Sequence, residues 1–143
     1  MKKILFIVCV LAVNFNLFSQ DKTAKINFLT TEIDYGIIEK GSNGVRDFIF
    51  TNDGDSPLII TNVKSTCGCT IPKKPNKPIL PGETEKIQVK YDTNRVGFIR
   101  KSIMVSSNAE TPTVILKISG KVINKSIENG LEKKSKSLLE EGY

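Results

Sequence analysis

The sequence contains no histidine and no tryptophan. Without histidine, a Ser-His or Cys-His catalytic pair, a His-ligated zinc site and a histidine general base are all excluded. Carboxylate catalysis and thiolate chemistry stay open. Cysteine is scarce: there are 3 in 143 residues, and one of them, Cys9, lies in an apolar run at the N-terminus. Charge of one sign is not concentrated either. The 21 Lys and Arg stand among 15 Asp and Glu, for a formal charge of +6. Acids interleave with the bases, so nucleic-acid binding is not expected and an evenly solvated surface is.

The N-terminus carries an address. Met1-Lys2-Lys3 is a basic start, and Ile4 to Val13 is an unbroken apolar run. Asn14, Asn16, Ser19, Gln20 and Asp21 make a polar exit. This is the pattern of a secretory signal peptide, with an apolar segment shorter than the roughly 20 residues of a membrane span. Cleavage is expected near Ser19 or Gln20, giving an exported chain, periplasmic or secreted, with no membrane span in its mature form. Val8 stands where a lipoprotein cysteine needs a small residue, so Cys9 reads as an apolar member of the leader. The expected plan is a signal peptide over 1–20, one domain over 21–122 and a charged tail over 123–143, frayed helix or disordered. Asn124-Lys125-Ser126 matches a glycosylation acceptor, a short pattern common by chance.

The body reads as short strands separated by turn signals. Ile26–Leu29 and Ile33–Tyr35 are brief candidates, with Gly36 as punctuation. Val45–Thr51 is a strand stopped by Asn52-Asp53-Gly54-Asp55, residues that tolerate positive φ cheaply. Leu58–Lys64 follows, its Leu-Ile-Ile run suggesting burial on both faces. Thr70 to Pro81 holds four prolines, which predicts an extended surface loop. Glu85–Asp92 alternates, with Ile87, Val89 and Tyr91 inward. Phe98–Ser106 points Ile99, Ile103 and Val105 inward, and Thr113–Val122 does so with Val114, Leu116, Ile118 and Val122. About seven such strands in roughly a hundred residues predict an all-β fold, an immunoglobulin-like antiparallel sandwich. A small closed barrel is the alternative.

The chemistry is concentrated in Ser65-Thr66-Cys67-Gly68-Cys69-Thr70. Three readings of Cys67, Gly68 and Cys69 stand side by side. A Cys67–Cys69 bridge, structural or labile, is preferred; a tight turn brings cysteines two apart within disulfide reach, and Gly68 supplies backbone freedom. A soft metal such as Cu(I) suits two thiolates, whose pKa values neighbouring Lys64, Lys73 and Lys74 would lower. Met104 sits on a strand whose odd-numbered residues face inward, which argues against its joining such a site, and zinc would lack ligands. Thiol–disulfide exchange is third, because dedicated catalysts place Cys-x-x-Cys at a helix start and this context is a strand end.

The order of Phe48 to Gly54, Pro57 to Ile60, Ser65 to Thr70, Ile79 to Glu83, Val89 to Asp92, Gly97-Phe98, Ser106 to Asn108 and Leu116 to Val122 carries a likeness. Over about Ile33 to Val122 the chain resembles the bacterial domain-of-unknown-function family 1573. That family is similar to the immunoglobulin-like domains of Hydin and abnormal-spindle type. The resemblance implies a sandwich, export and cysteines at family positions, and no reaction or cofactor. The expectation is a non-enzymatic binding or structural module of the envelope, partnered by another envelope protein or polymer. Copper binding or thiol redox through Cys67 and Cys69 is the alternative.

Overall fold

The computed structural model describes residues 22–125. The expected leader and cleavage site, Cys9 and the tail from Ser126 lie outside the described residues. Eight strands form two four-stranded sheets. In the first, β1 (Ile26–Phe28), β3 (Val45–Asn52), β6 (Thr84–Tyr91) and β5 (Thr70–Lys73) lie in the order β1-β3-β6-β5. In the second, β2 (Glu32–Glu39), β8 (Thr113–Ile123), β7 (Gly97–Ser107) and β4 (Ile60–Ser65) lie in the order β2-β8-β7-β4. The immunoglobulin-like sandwich is as the sequence predicts, with eight strands in place of about seven. It is not wholly antiparallel: β2 runs parallel to β8.

Period-two patterning builds the core. Ile87, Val89 and Tyr91 of β6 and Phe48 and Phe50 of β3 close one side. Ile99, Ile103 and Val105 of β7 meet them from the other sheet with Leu116, Ile118 and Val122 of β8. Phe48 pairs with Ile87 across β3 and β6, and Ile103 with Leu116 across β7 and β8. Each such side chain contributes about 1.5–3 kcal/mol on burial. A bridge closing a loop of two or three residues contributes about 1–2 kcal/mol. The core, not the cysteine pair, carries the fold.

Three expectations change. Thr70–Lys73 is a strand inside the proline-rich stretch; Pro72 is tolerated because β5 is an edge, where one side needs no amide donor. Leu58 is buried against Ile79 in an isolated bridge, but Ile59 is 45% exposed, so the Leu-Ile-Ile run is covered on one face only. Gly36 does not end a strand. It is a bulge inside β2 at φ 63°, with the register slipping between Asp34 and Ile37. Gly120 opposite leaves the room: a Cβ there would lie 2.8 Å from the Gly36 carbonyl oxygen.

The Asn52-Asp53-Gly54-Asp55 turn also works differently from expectation. Gly54 is not in the left-handed region; a Cβ on it would sit 2.5 Å from the Lys25 amide nitrogen and 2.8 Å from the Ala24 carbonyl carbon. Glycine is needed there because the N-terminal segment packs across the turn. Asn52 is wholly buried and satisfies both. Its Nδ2 donates to the carbonyls of Ser56 (2.8 Å) and Ile79 (2.9 Å). Its Oδ1 accepts from the amides of Gly54 (3.1 Å) and Lys25 (3.3 Å). Among the described residues no buried side-chain polar atom lacks a partner.

Replacing Asn52 by alanine strands several of these groups away from water. We expect Asn52→Ala to lose about 3 kcal/mol or more. Thermal unfolding followed by circular dichroism checks this; a loss below about 1 kcal/mol would show the network to be dispensable.

Candidate functional site at the sheet crossover

The cysteine stretch is the passage from one sheet to the other. β4 ends at Ser65 on the edge of the second sheet, and β5 starts at Thr70 on the edge of the first. The departing end is tied to β7: the Thr66 amide donates to the Ser102 carbonyl at 3.1 Å, and the Ser102 amide to Thr66 Oγ1 at 3.4 Å. The arriving end is tied just past the end of β6, where the Asp92 amide donates to the Cys69 carbonyl at 2.9 Å. The Thr70 amide reaches back to the Cys67 carbonyl at 3.4 Å, closing the tight turn.

This turn brings the two sulfurs into bonding contact, with the Cα atoms 5.4 Å apart. Their exposure differs. Cys69 is 5% exposed and belongs to the core, while Cys67 is half-buried and packs against it. The Thr70 hydroxyl lies between them, 3.9 Å from Cys67 Sγ and 3.8 Å from Cys69 Sγ. Gly68 is exposed, is not in the left-handed region and has nothing within 4 Å of an added Cβ.

The other residues named for this chemistry stand elsewhere. Met104 is 47% exposed on the outer face of the second sheet, in register with Lys64 and Ile115. Lys74 donates its ammonium to the Ile60 carbonyl at 3.0 Å. Lys73 lies in register with Gln88 on β6. Among the described residues no three or more Cys, Asp or Glu side chains gather as a metal site would need. Sequence reasoning missed Thr70 as a sulfur neighbour and Asp92 as the anchor of the arriving end. Threonine after Cys-Gly-Cys carried the only legible signal for the first.

An open groove runs beside Gly68 and Cys69, walled by the 41–45 loop, Ile71 and the 90–94 turn. Its far wall is braced from behind. Tyr35, buried, donates its hydroxyl to the Gly44 carbonyl at 2.8 Å, and the Tyr91 amide donates to the same oxygen at 2.9 Å. A Cβ on Gly44 would collide with the Tyr91 carbonyl oxygen, so glycine is required. The Arg46 guanidinium covers the Tyr35 ring at 4.3 Å. Burial raises the Tyr35 hydroxyl above its ordinary 10.0, with the Arg46 charge opposing it. On the near side, the Asn94 amide holds the Asp92 carboxyl below its ordinary 3.8. On the outer face of the first sheet, Lys86 does the same for Asp47 through a 2.7 Å contact.

Two four-stranded sheets joined by such a crossover define an immunoglobulin-like, PapD-like β-sandwich domain. The chain belongs to DUF1573, described as a protein of unknown function, whose profile matches residues 26–122. No functionally curated protein matches the sequence. Among solved structures, a protein of unknown function from Porphyromonas gingivalis W83 is similar, with TM-score 0.63 and 18% identity. That match covers 76% of this chain and 51% of the other, so the chain spans about half the length of that relative. The PapD-like domain 7 of human CEP192 matches at TM-score 0.55 and 11% identity, over 76% of this chain and 92% of that one. The secreted serine protease VesC from Vibrio cholerae matches at TM-score 0.52 and 14% identity, over 68% of this chain and 23% of the protease. These likenesses are of fold.

The carboxyl and tyrosine shifts set a pH window. Asp47 and Asp92 titrate lower in the folded chain, so their stabilisation is present above the ordinary value of 3.8 and lost as pH falls below it through the lowered folded values. Tyr35 titrates higher when folded, so its stabilisation is present below 10.0 and lost as pH rises beyond it. No histidine titrates between. The unfolding midpoint is expected to be flat between about pH 5.5 and 8 and to drop below about pH 4. A midpoint that changes steeply near neutrality, in scans over that range, would contradict the assignment.

Proposed function

We propose that this domain is an exported, non-enzymatic interaction module of the bacterial envelope, in which Cys67 and Cys69 form a structural bridge at the sheet crossover. The observation that carries the reading is the division between inside and outside. The described interior leaves no buried side-chain polar atom unpaired, whereas the outer faces display Ile37 (72%), Phe98 (71%) and Ile71 (65%) to solvent. A rigid scaffold presenting large apolar side chains is suited to docking. The basic and apolar N-terminal run supports export. The missing histidine argues against Ser-His or Cys-His catalysis in this chain. Burial of Cys69 favours a bridge over an exchange centre, which needs an accessible sulfur.

The full-length gene expressed with an export pathway provides the test. Intact mass is expected to show loss of the leader and two hydrogens fewer than the reduced chain. Free-thiol titration should read zero, and Cu(I) should not bind stoichiometrically. The Cys67→Ala, Cys69→Ala double variant should fold, losing about 1–2 kcal/mol. Two free thiols with tight one-to-one copper uptake would favour metal handling instead, and a retained leader would contradict export.

A further inference from the structure

The outer face of the second sheet carries a patch built by the β2 bulge. Before the bulge, Ile33 and Tyr35 point inward and Glu32 and Asp34 outward. After it the parity is reversed: Ile38 turns in, and Ile37 and Glu39 turn out. Had the alternation run unbroken through Gly36, Ile37 would join the inward row of Ile33 and Tyr35. Bulges re-aim side chains at the cost of local pairing. This one needs a positive-φ glycine, a facing glycine at position 120 and an Asp34 side chain accepting from the Gly36 amide at 2.9 Å.

The re-aimed Ile37 lies in register with Lys121 on β8, which lies in register with Phe98 on β7. Ile37 and Phe98 are 72% and 71% exposed, and Val96, two residues before Phe98, is 54% exposed. Two cations flank the ring, with the Arg100 guanidinium and the Lys121 ammonium each 5.8 Å from its centroid. Neighbouring positions on β8 and beyond pair with β2 acids: Lys117 with Glu32 at 2.7 Å, and Lys125 with Glu39 at 2.9 Å. Among the described residues, Arg100 and Lys121 make no ion pair. The three acids that β2 turns outward are engaged, two with those lysines and Asp34 with the Gly36 amide.

We propose that this face docks on an anionic phospholipid bilayer, with Phe98 and Ile37 entering the headgroup boundary and Arg100 and Lys121 meeting lipid phosphates. Exposed apolar side chains beside unpaired cations match a surface that is apolar below and negative above. Protruding residues on a sheet face do not form the groove that a folded peptide would need, and Ile37 and Val96 offer a sugar polymer no hydrogen bond. The proposal extends the interaction-module reading by naming its partner. It does not depend on the state of the cysteines.

The chain has no tryptophan, so Phe98→Trp creates a single reporter. Ile115→Trp does the same at another exposed position on this face, beside Met104. Both are made in the full-length chain and mixed with phosphatidylcholine vesicles, with and without roughly one third phosphatidylglycerol. So that any lipid binding through the apolar run Ile4 to Val13 does not count, immersion of each indole is read, not total binding. The Phe98→Trp emission is expected to shift to shorter wavelength and to be quenched by brominated lipid on anionic vesicles, while Ile115→Trp stays in water. Adding Arg100→Gln and Lys121→Gln should raise the lipid concentration for half-maximal shift about ten-fold or more. Adding Ile37→Ser, with folding checked by circular dichroism, should raise it similarly. An indole at position 98 that stays water-exposed on anionic vesicles overturns the proposal, as does an equal change in both reporters. A response to polyglutamate without one to vesicles would assign the patch to an acidic polypeptide and also overturn it. Any of these leaves the interaction-module reading to its own mass and thiol tests.

Discussion

The buried amide of Asn52, at the end of β3, joins three irregular parts of the chain. Its carboxamide binds the segment before β1 through Lys25, the turn through Gly54 and Ser56, and the strand-free stretch before β6 through Ile79. Its own backbone adds two bonds: the amide donates to the Glu83 carbonyl at 3.0 Å, and the carbonyl accepts from Gly82 at 2.8 Å. Such a residue can be buried only when every partner is in place, since an unmade bond in the interior costs more than a made one gains. Position 52 therefore couples the end of β3 to both irregular segments that close this end of the sandwich. The close approach at Gly54 follows from the same packing.

Much of the fold was legible because strands with one wet face write themselves in alternate residues. β6, β7 and β8 follow their inward rows from Ile87 to Val122 as read. The failures share one cause: the same residue type serves different ends depending on distant partners. Gly36 looks like any turn glycine, and only the β8 strand lying against it makes it a bulge. Pro72 is incompatible with a central strand, but whether a strand is central is a fact of sheet order. Asn52 reads as the start of a turn, while its burial depends on Lys25 and Ile79, 27 residues away on either side. The spacing of Cys67 and Cys69 permitted a bridge; the unequal burial of the two sulfurs came from the crossover between sheets.

The sheet crossover and the apolar outer patch are separate parts of the molecule. The crossover draws its geometry from Ser102, Asp92 and Thr70 and hides Cys69, which suits a fixed joint. The faces of the sheets are where the molecule keeps variety, and on the second sheet a glycine bulge turns an isoleucine outward beside an exposed phenylalanine. Among the described residues the buried side-chain polar atoms are all paired. An immunoglobulin-like scaffold leaves such decoration free to differ without disturbing the core.

Native-state hydrogen exchange tests the coupling through Asn52 most directly. The amides of Lys25, Gly54 and Gly82 lie outside the strands, where exchange is ordinarily fast. If Asn52 holds these segments as one unit with the core, they will exchange as slowly as the amides of Ile87 and Ile118, through global unfolding. Exchange of the three at the rate of the exposed 94–96 segment, with the core still protected, would contradict it.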